Sequence, residues 1–245
     1  MALAPVCILA GGVGSRLGAA VKDTPKPVLT VAGRPFALWQ LELLRSYGAE
    51  RVVMCVGYLG ERIEAAVGSP FGLDVRYVYD PPELAGTAGA VRGALDLLGE
   101  RFLVLYGDTY LRIDYAAVDA AHAASGLPGL MTVLRNEGRW DTSNAILRGG
   151  RIVAHDKRAP TPEMHWIDYG LGALTAAALE EPGDDLSDVY RALAARGELA
   201  GYEATERFYE IGTPGSLAEA SAFLAALSTT TAGGAPRESS EDTPA

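Results

Sequence analysis

The chain has 245 residues, 49% of them hydrophobic, and 31 acidic side chains against 21 Lys and Arg, for a formal net charge of −10. That much apolar material excludes a disordered chain, and the length suits one α/β domain. The acid excess excludes a general binder of nucleic acid or anionic membrane, because the global field repels phosphates; a phosphate ligand then needs a locally basic pocket.

The opening Met1-Ala2-Leu3-Ala4-Pro5 has no basic n-region. No apolar run nears the ~20 residues of a membrane span, so a soluble, cytoplasmic protein is expected. Residues 5–9 read as a short buried strand that runs into the loop Ala10-Gly11-Gly12-Val13-Gly14-Ser15. Phe36, Trp39, Leu43, Leu44 and Tyr47 recur at helical spacing, with Gly48 as the cap. Strands are predicted over 51–56, 75–79 and 102–106, with helices over 59–67 and 87–98 between them; the last strand ends in Gly107-Asp108. Near-continuous apolar strands between helices predict a Rossmann-like α/β fold with a mixed, mainly parallel sheet covered on both faces.

Beyond about Asp114 the pattern loosens. A helix over 116–124 precedes four strand candidates, at 129–134, 144–147, 151–154 and 167–174. A helix over 182–196 takes Asp184 or Asp185 as its cap, and Thr213-Pro214 opens the last helix. From Ser228 the chain turns Thr-, Gly-, Ser-, Pro- and acid-rich, which reads as a disordered tail over 228–245. The folded part, 1–227, divides near residue 113 into two portions.

Cys7 and Cys55 lie inside apolar runs and read as buried free thiols on strands; the three histidines show no ligand spacing with them. Only three bases are lysine, namely Lys22, Lys26 and Lys157. In a chain so biased to arginine, a retained lysine points to a need for a compact ammonium.

Ligands of open parallel sheets bind beyond the carboxyl ends of the strands, which selects the loop at Gly11-Gly12 and the acid Asp108. The loop is no Walker motif, since no Gly-Lys-Ser/Thr follows, and it fails the dinucleotide fingerprint at Leu17. Alone it fits a tight turn as well as a phosphate cradle. Arg16 sharpens it, because Lys26 follows ten residues later in Pro25-Lys26-Pro27. Two prolines fix the backbone around that lysine in an extended form, so both cations can converge on one polyphosphate.

These pieces, continued by Val31-Ala32-Gly33-Arg34-Pro35, Gly86-Thr87-Ala88-Gly89, Gly107-Asp108-Thr109, Asp156-Lys157 and Ile211-Gly212-Thr213-Pro214, resemble the signature of sugar-1-phosphate nucleotidylyltransferases. The segment Val21-Lys22-Asp23-Thr24-Pro25-Lys26-Pro27 looks most like the heptose-1-phosphate guanylyltransferase branch. The resemblance implies a nucleotide-binding part over about 1–113 and a sugar-binding part over about 114–227. It implies transfer of a nucleoside monophosphate from an NTP to a sugar 1-phosphate, with pyrophosphate leaving. Gly11 and Gly12 would line the nucleotide, Arg16 would hold the pyrophosphate, and Lys26 would bridge the reacting phosphates. Gly86 and Thr87 would approach the base; Glu83 is either an acceptor for guanine N1–H and N2–H₂, which favours GTP, or a solvated loop acid.

Asp108 would hold Mg²⁺, where the bland reading is a strand-end turn acid. Its usual aspartate partner is replaced by Glu210, the second expected metal residue, which reaches one methylene further, so direct ligation, ligation through water or loss of the contact stay open. Lys157 would grip the sugar phosphate, or else sits in an exposed charged turn, and Asp156 would accept sugar hydroxyls. Asp168 stands where the family has asparagine, and Asn144 lies in a segment that departs from the usual Tyr-Gly. Two further readings stay open: a cytidylyltransferase for a non-sugar phosphate such as phosphocholine, and a nucleotide-sugar binder without turnover. Asp108-Thr109-Tyr110 lacks the Asp-x-Asp of a glycosyltransferase.

Overall fold

The computed structural model describes residues 3–12, 17, 24–81 and 85–232. Arg16 and Glu83 lie outside them, as does the chain beyond Ala232. The first portion comprises β1 (Val6–Leu9), the ribbon β2 (Thr30–Val31) and β3 (Arg34–Pro35), α1 (Phe36–Ser46), β4 (Arg51–Val56), α2 (Gly60–Val67), β5 (Asp74–Tyr79), α3 (Gly86–Gly93), α4 (Leu95–Leu98), β6 (Arg101–Tyr106) and β7 (Thr109–Tyr110). The second runs through α5 (Tyr115–Ser125), β8 (Gly129–Arg135), β9 (Ala145–Arg148), β10 (Arg151–His155), β11 (Trp166–Thr175), α6 (Leu186–Ala195), β12 (Leu199–Ala204), β13 (Tyr209–Glu210) and α7 (Pro214–Ala232).

Alternation along the central strands explains why they are apolar at every position. Val6, Ile8, Val52, Met54, Leu103 and Leu105 enter one core with Leu41 and Leu44 of α1 and Ile63 of α2. Their sequence neighbours Cys7, Val53, Cys55, Phe102 and Val104 enter a second core with Val91 of α3 and Val189 and Leu193 of α6. Period-two side chains thus feed both faces, and each face needs its own helices. A third core packs Leu224 of α7 against Val31, Trp39 and Ile211.

One nine-stranded sheet, in the order β5-β4-β1-β6-β11-β8-β12-β10-β9, crosses both portions. The expectation of a mainly parallel sheet is corrected here. Strands β5, β4, β1 and β6 are parallel, and so are β8 and β12. The other pairings, β6–β11, β8–β11, β9–β10, β9–β11 and β10–β12, are antiparallel. The physical reason is connection length: parallel neighbours need a crossover, whereas β8 to β11 follow one another without a helix. Gly149 and Gly150, at φ +56° and +74°, turn β9 directly back into β10.

The helix caps follow the sequence. Asp114 accepts the Ala117 N–H at 2.9 Å to open α5, and Asp185, not Asp184, accepts the Ser187 N–H at 2.8 Å to open α6. Thr213 Oγ1 accepts the Ser216 N–H at 3.1 Å while Ser216 Oγ accepts the Thr213 N–H at 3.0 Å, a reciprocal cap on α7. That helix continues to Ala232, past the composition change at Ser228. The single helix expected over 87–98 is two, α3 and α4, joined at Ala94.

Candidate active site

The ends of four parallel strands, β1, β4, β5 and β6, build the first chamber. At the end of β1 the Ala10 N–H donates to Cys55 O at 2.8 Å, which presents Gly11 and Gly12 to a cavity of about 240 Å³. A Cβ on Gly11 would stand 2.8 Å from Asp80 Oδ2 and 3.2 Å from Gly57 N, so glycine lets the ends of β1, β4 and β5 converge without displacing either neighbour. Lys26, Asp80, Gly86, Thr87 and Asp108 share the cavity lining. Gly86, at φ +70°, would place a Cβ 2.2 Å from Asp184 O. Thr87 Oγ1 in turn accepts the Leu186 N–H at 2.8 Å, which locks the start of α3 to the start of α6.

Lys26 lies in a short 3-10 turn after extended Pro25, and its Nζ meets Asp108 Oδ2 at 2.7 Å. The extended backbone expected at Lys26 is instead this turn, with only Pro25 extended, and the lysine side chain is 14% exposed. Asp108 is fixed from two sides. Its carbonyl accepts the Ile211 N–H at 3.0 Å, and the β7–β13 ribbon sets Glu210 opposite Thr109. Buried Gln40 of α1 donates from Nε2 to Tyr106 O at 3.0 Å and Thr109 O at 2.7 Å, bracketing the Gly107-Asp108 turn.

A second chamber of about 440 Å³ opens on the other side of Tyr106 and Asp108, which line both. Asn144, Lys157, Asp168 and Glu210 border it. The β8–β11 register slips between Asp168 and Gly172. In that bulge Gly170, at φ +97°, leaves room for Thr109 Oγ1, which a Cβ would meet at 3.2 Å. The bulge re-aims Asp168 into the cleft. Asp168 Oδ2 pairs with Lys157 Nζ at 2.8 Å and accepts from Tyr106 OH at 3.3 Å, while Oδ1 accepts the Gly170 N–H at 3.0 Å. Asn144 Oδ1 takes the Asp168 N–H at 2.9 Å.

The electrostatics follow from that pairing. Burial opposes the charged form of Asp168, but the Lys157 ammonium beside it and the Gly170 N–H outweigh it and hold the carboxyl below the ordinary range. Burial likewise opposes the Lys157 ammonium, and Asp168 with Tyr106 raises it above the usual lysine value. Burial pushes the Tyr106 phenol up and the His155 imidazole down, so the phenol is protonated and the imidazole neutral at pH 7.

The structure therefore brings Gly11, Gly12, Lys26, Gly86, Thr87 and Asp108 into one chamber, and Asn144, Lys157, Asp168, Glu210 and Asp108 into the next. Asp156 sits elsewhere: its Oδ1 accepts the N–H groups of Arg158 and Ala159 at 2.7 and 2.9 Å, which makes it the anchor of its own turn. Sequence reasoning missed Asp80, Gln40, Tyr106 and the rings Trp140, Tyr169 and Phe208 of the second chamber. Asp80 could have been found, because it is the first residue after a predicted strand on the ligand-binding edge. Gln40 carried a signal too, as a polar residue between Trp39 and Leu41 on an apolar helix face.

The sequence matches the family described as MobA-like NTP transferase domain over residues 6–208. The chain belongs to that family. Among its relatives, the N-acetylmuramate alpha-1-phosphate uridylyltransferase of Neisseria meningitidis serogroup B is 41% identical over 124 residues, 49% of this chain and 53% of the relative. The D-glycero-alpha-D-manno-heptose 1-phosphate guanylyltransferase of Campylobacter jejuni is 35% identical over 108 residues, 44% of this chain and 48% of the relative. The chain thus spans about half the length of these curated relatives. The crystal structure of HddC from Yersinia pseudotuberculosis shares the fold, with a TM-score of 0.77 at 24% identity over 91% of this chain and all of that one. Among the described residues no helix is long and apolar enough to cross a membrane.

Proposed function

We propose that the chain transfers a nucleoside monophosphate from an NTP, GTP first, to a sugar 1-phosphate, giving an NDP-sugar and pyrophosphate. The observation that carries this reading is the pair of chambers meeting at Tyr106 and Asp108, each with its own lysine, Lys26 and Lys157. Two phosphate-bearing substrates then bind from opposite sides and react at the shared wall. An acceptor phosphate oxygen attacks the α-phosphorus, the Pα–O bond to the β-phosphate breaks, and its electrons leave on pyrophosphate.

Phosphoryl centres need positioning and charge neutralisation more than covalent help. Gly11 and Gly12 would receive the nucleotide along the backbone, and Lys26 would stabilise charge that grows on the reacting phosphates. Arg16, outside the described residues, would take the departing pyrophosphate. Lys157 would orient the acceptor phosphate. Asp108 and Glu210 face the same chamber as hard oxygen donors, and Mg²⁺ takes one or two carboxylates together with substrate phosphates. A pair of carboxylates suits an ion that keeps water and substrate phosphates as its other ligands. When bound, Mg²⁺ supplies further neutralisation of the phosphate oxygens. Tyr106 and Gln40 hold the wall in place from behind.

Asp80 supports guanine. Its carboxylate lies on the nucleotide chamber, where burial raises its pKa, and a desolvated acceptor gains most from a base edge with two adjacent donors. Guanine offers N1–H and N2–H₂; uracil offers one such donor. Pyrophosphate release measured for ATP, GTP, CTP, UTP and dTTP against a panel of sugar 1-phosphates, heptoses included, tests the reading. Release is expected only with Mg²⁺, one favoured base and an acceptor together. Release without acceptor, or none from any pair, would overturn it.

A further inference from the structure

The charges of the acceptor chamber do not balance once a phosphate is in place, a point that rests on the transfer reaction proposed above. Lys157 is the sole lysine or arginine among the described residues that line this chamber, against four carboxylates. Asp108 already has Lys26 at 2.7 Å, and Asp108 and Glu210 are the pair that suits a divalent ion. Asp168 is different. Its side chain is 4% exposed, and its cation is Lys157 at 2.8 Å. His155 is the other basic group that acts on it, and burial keeps that ring neutral. A phosphate drawn to Lys157 therefore competes for the counter-ion of a carboxylate that water barely reaches. Removing one member of such a pair is costly unless another cation arrives.

Three aromatic rings on the lining of the chamber suit a cation. Trp140 and Phe208 meet edge to face at 6.3 Å between ring centres, and Phe208 and Tyr169 do the same at 6.2 Å; all three line the chamber. Trp140 is 37% exposed, an aromatic surface left open beside a polar cleft. Aromatic faces attract ammonium groups through the ring quadrupole. Arg207 stands 5.7 Å over Trp140 and 4.7 Å over Tyr209, but it pairs with Glu219 at 2.9 Å and is not among the residues that line the chamber. Asp141, a further carboxylate on the lining, adds to the same negative field.

We propose that the acceptor is a zwitterion, a phosphate monoester that carries a protonated amine, with its phosphate on Lys157 and its ammonium received by Asp168 and the Trp140–Phe208 wall. An amino sugar 1-phosphate is the form that joins this inference to the proposed reaction. A neutral sugar offers Asp168 hydroxyl hydrogen bonds but no charge.

Binding tests this without turnover. The full chain, with Mg²⁺ and a non-hydrolysable GTP analogue, is titrated calorimetrically with hexose 1-phosphates that carry one amino group at C2, C3, C4 or C6. Each is compared with its hydroxyl parent, and phosphocholine, whose quaternary ammonium stands in for the protonated amine, with 3,3-dimethylbutyl phosphate, which lacks that cation. At least one amine should bind about tenfold or more tightly than its neutral counterpart, and Asp168→Asn should reduce that gain to within about twofold. Continued binding of the neutral counterpart shows that the variant is folded. A gain confined to hexoses assigns a sugar acceptor; one confined to phosphocholine assigns an aminoalkyl phosphate. The inference is overturned if no amine outbinds its neutral counterpart, or if the preference survives in Asp168→Asn. Transfer to neutral sugar phosphates with no gain for amines sinks this inference alone. Tight amine binding without pyrophosphate release sinks the transfer reading alone.

Discussion

Lys157→Met isolates the Lys157–Asp168 pair, because methionine keeps much of the lysine stem and removes its charge. Asp168 is then left 4% exposed with no ammonium beside it. Breaking a buried pair in this way costs about 3–5 kcal/mol. Lys157 is 38% exposed, so water screens its end of the pair, and the expected loss falls to about 1.5–3 kcal/mol. For a chain of this size that lowers the melting temperature by about 3–12 °C, read by differential scanning calorimetry. Adding Asp168→Asn should restore most of the loss, because the amide oxygen still accepts the Gly170 N–H and no charge is stranded. The pH dependence has a definite sign. The folded Asp168 carboxyl lies below its unfolded value of about 3.9, so its stabilisation is complete above that value and disappears as pH falls through the folded one. Lys157 is raised, so its part is complete below about 10.4 and disappears as pH rises through the folded value. A single variant that melts with the wild type, or a double variant no more stable than the single one, would refute the reasoning.

The other expectations concern the wall and its supports. Lys26→Ala should lower kcat by about 10²–10³-fold and leave the KM for acceptor within about threefold in steady-state assays, as for a group that acts in the transition state. Lys157→Ala should instead raise the acceptor KM. Gln40→Leu strips Tyr106 O and Thr109 O of their donor inside the fold, which predicts a loss of about 1–3 kcal/mol by urea unfolding. Gly86→Ala combines a positive φ with a contact at 2.2 Å to Asp184 O, so it should cost at least about 1–3 kcal/mol in the same assay. Cys7 and Cys55 are buried with sulfurs 3.5 Å apart, and their mutual hydrogen bond together with burial raises the Cys7 thiol. A disulfide-exchange reagent should therefore titrate both thiols in denaturant and neither in the native chain.

What could be read from the sequence follows the physics of burial. Strands β1, β4 and β6 were legible because they are covered on both faces and so carry apolar residues at successive positions. Leu199–Ala204 was not, since Leu-Ala-Gly-Tyr-Glu-Ala has little β-branched character and owes its strand state to β8 beside it. The two-residue ribbon of β7 and β13 leaves no period to detect, yet it sets Glu210 opposite Thr109. The direction of β11 was implicit in four strand candidates with no helix between them. Within the site, Lys26 and Asp108 were legible because prolines and a strand end define their surroundings. The pairing of Lys157 with Asp168 depends on a bulge in β11, and the wall of Trp140, Phe208 and Tyr169 on rings from three separate segments; no local pattern encodes either.

The central claim is that two phosphate-bearing substrates meet at Tyr106 and Asp108. Following the α-phosphorus tests it most directly. The chain is incubated with Mg²⁺, GTP labelled at the α-phosphate and an acceptor sugar 1-phosphate, and the labelled products are separated. The account predicts label in a new nucleotide sugar, formed in step with pyrophosphate and absent without acceptor. Label that stays in GTP with every acceptor, or appears as free GMP whether or not acceptor is present, would contradict it.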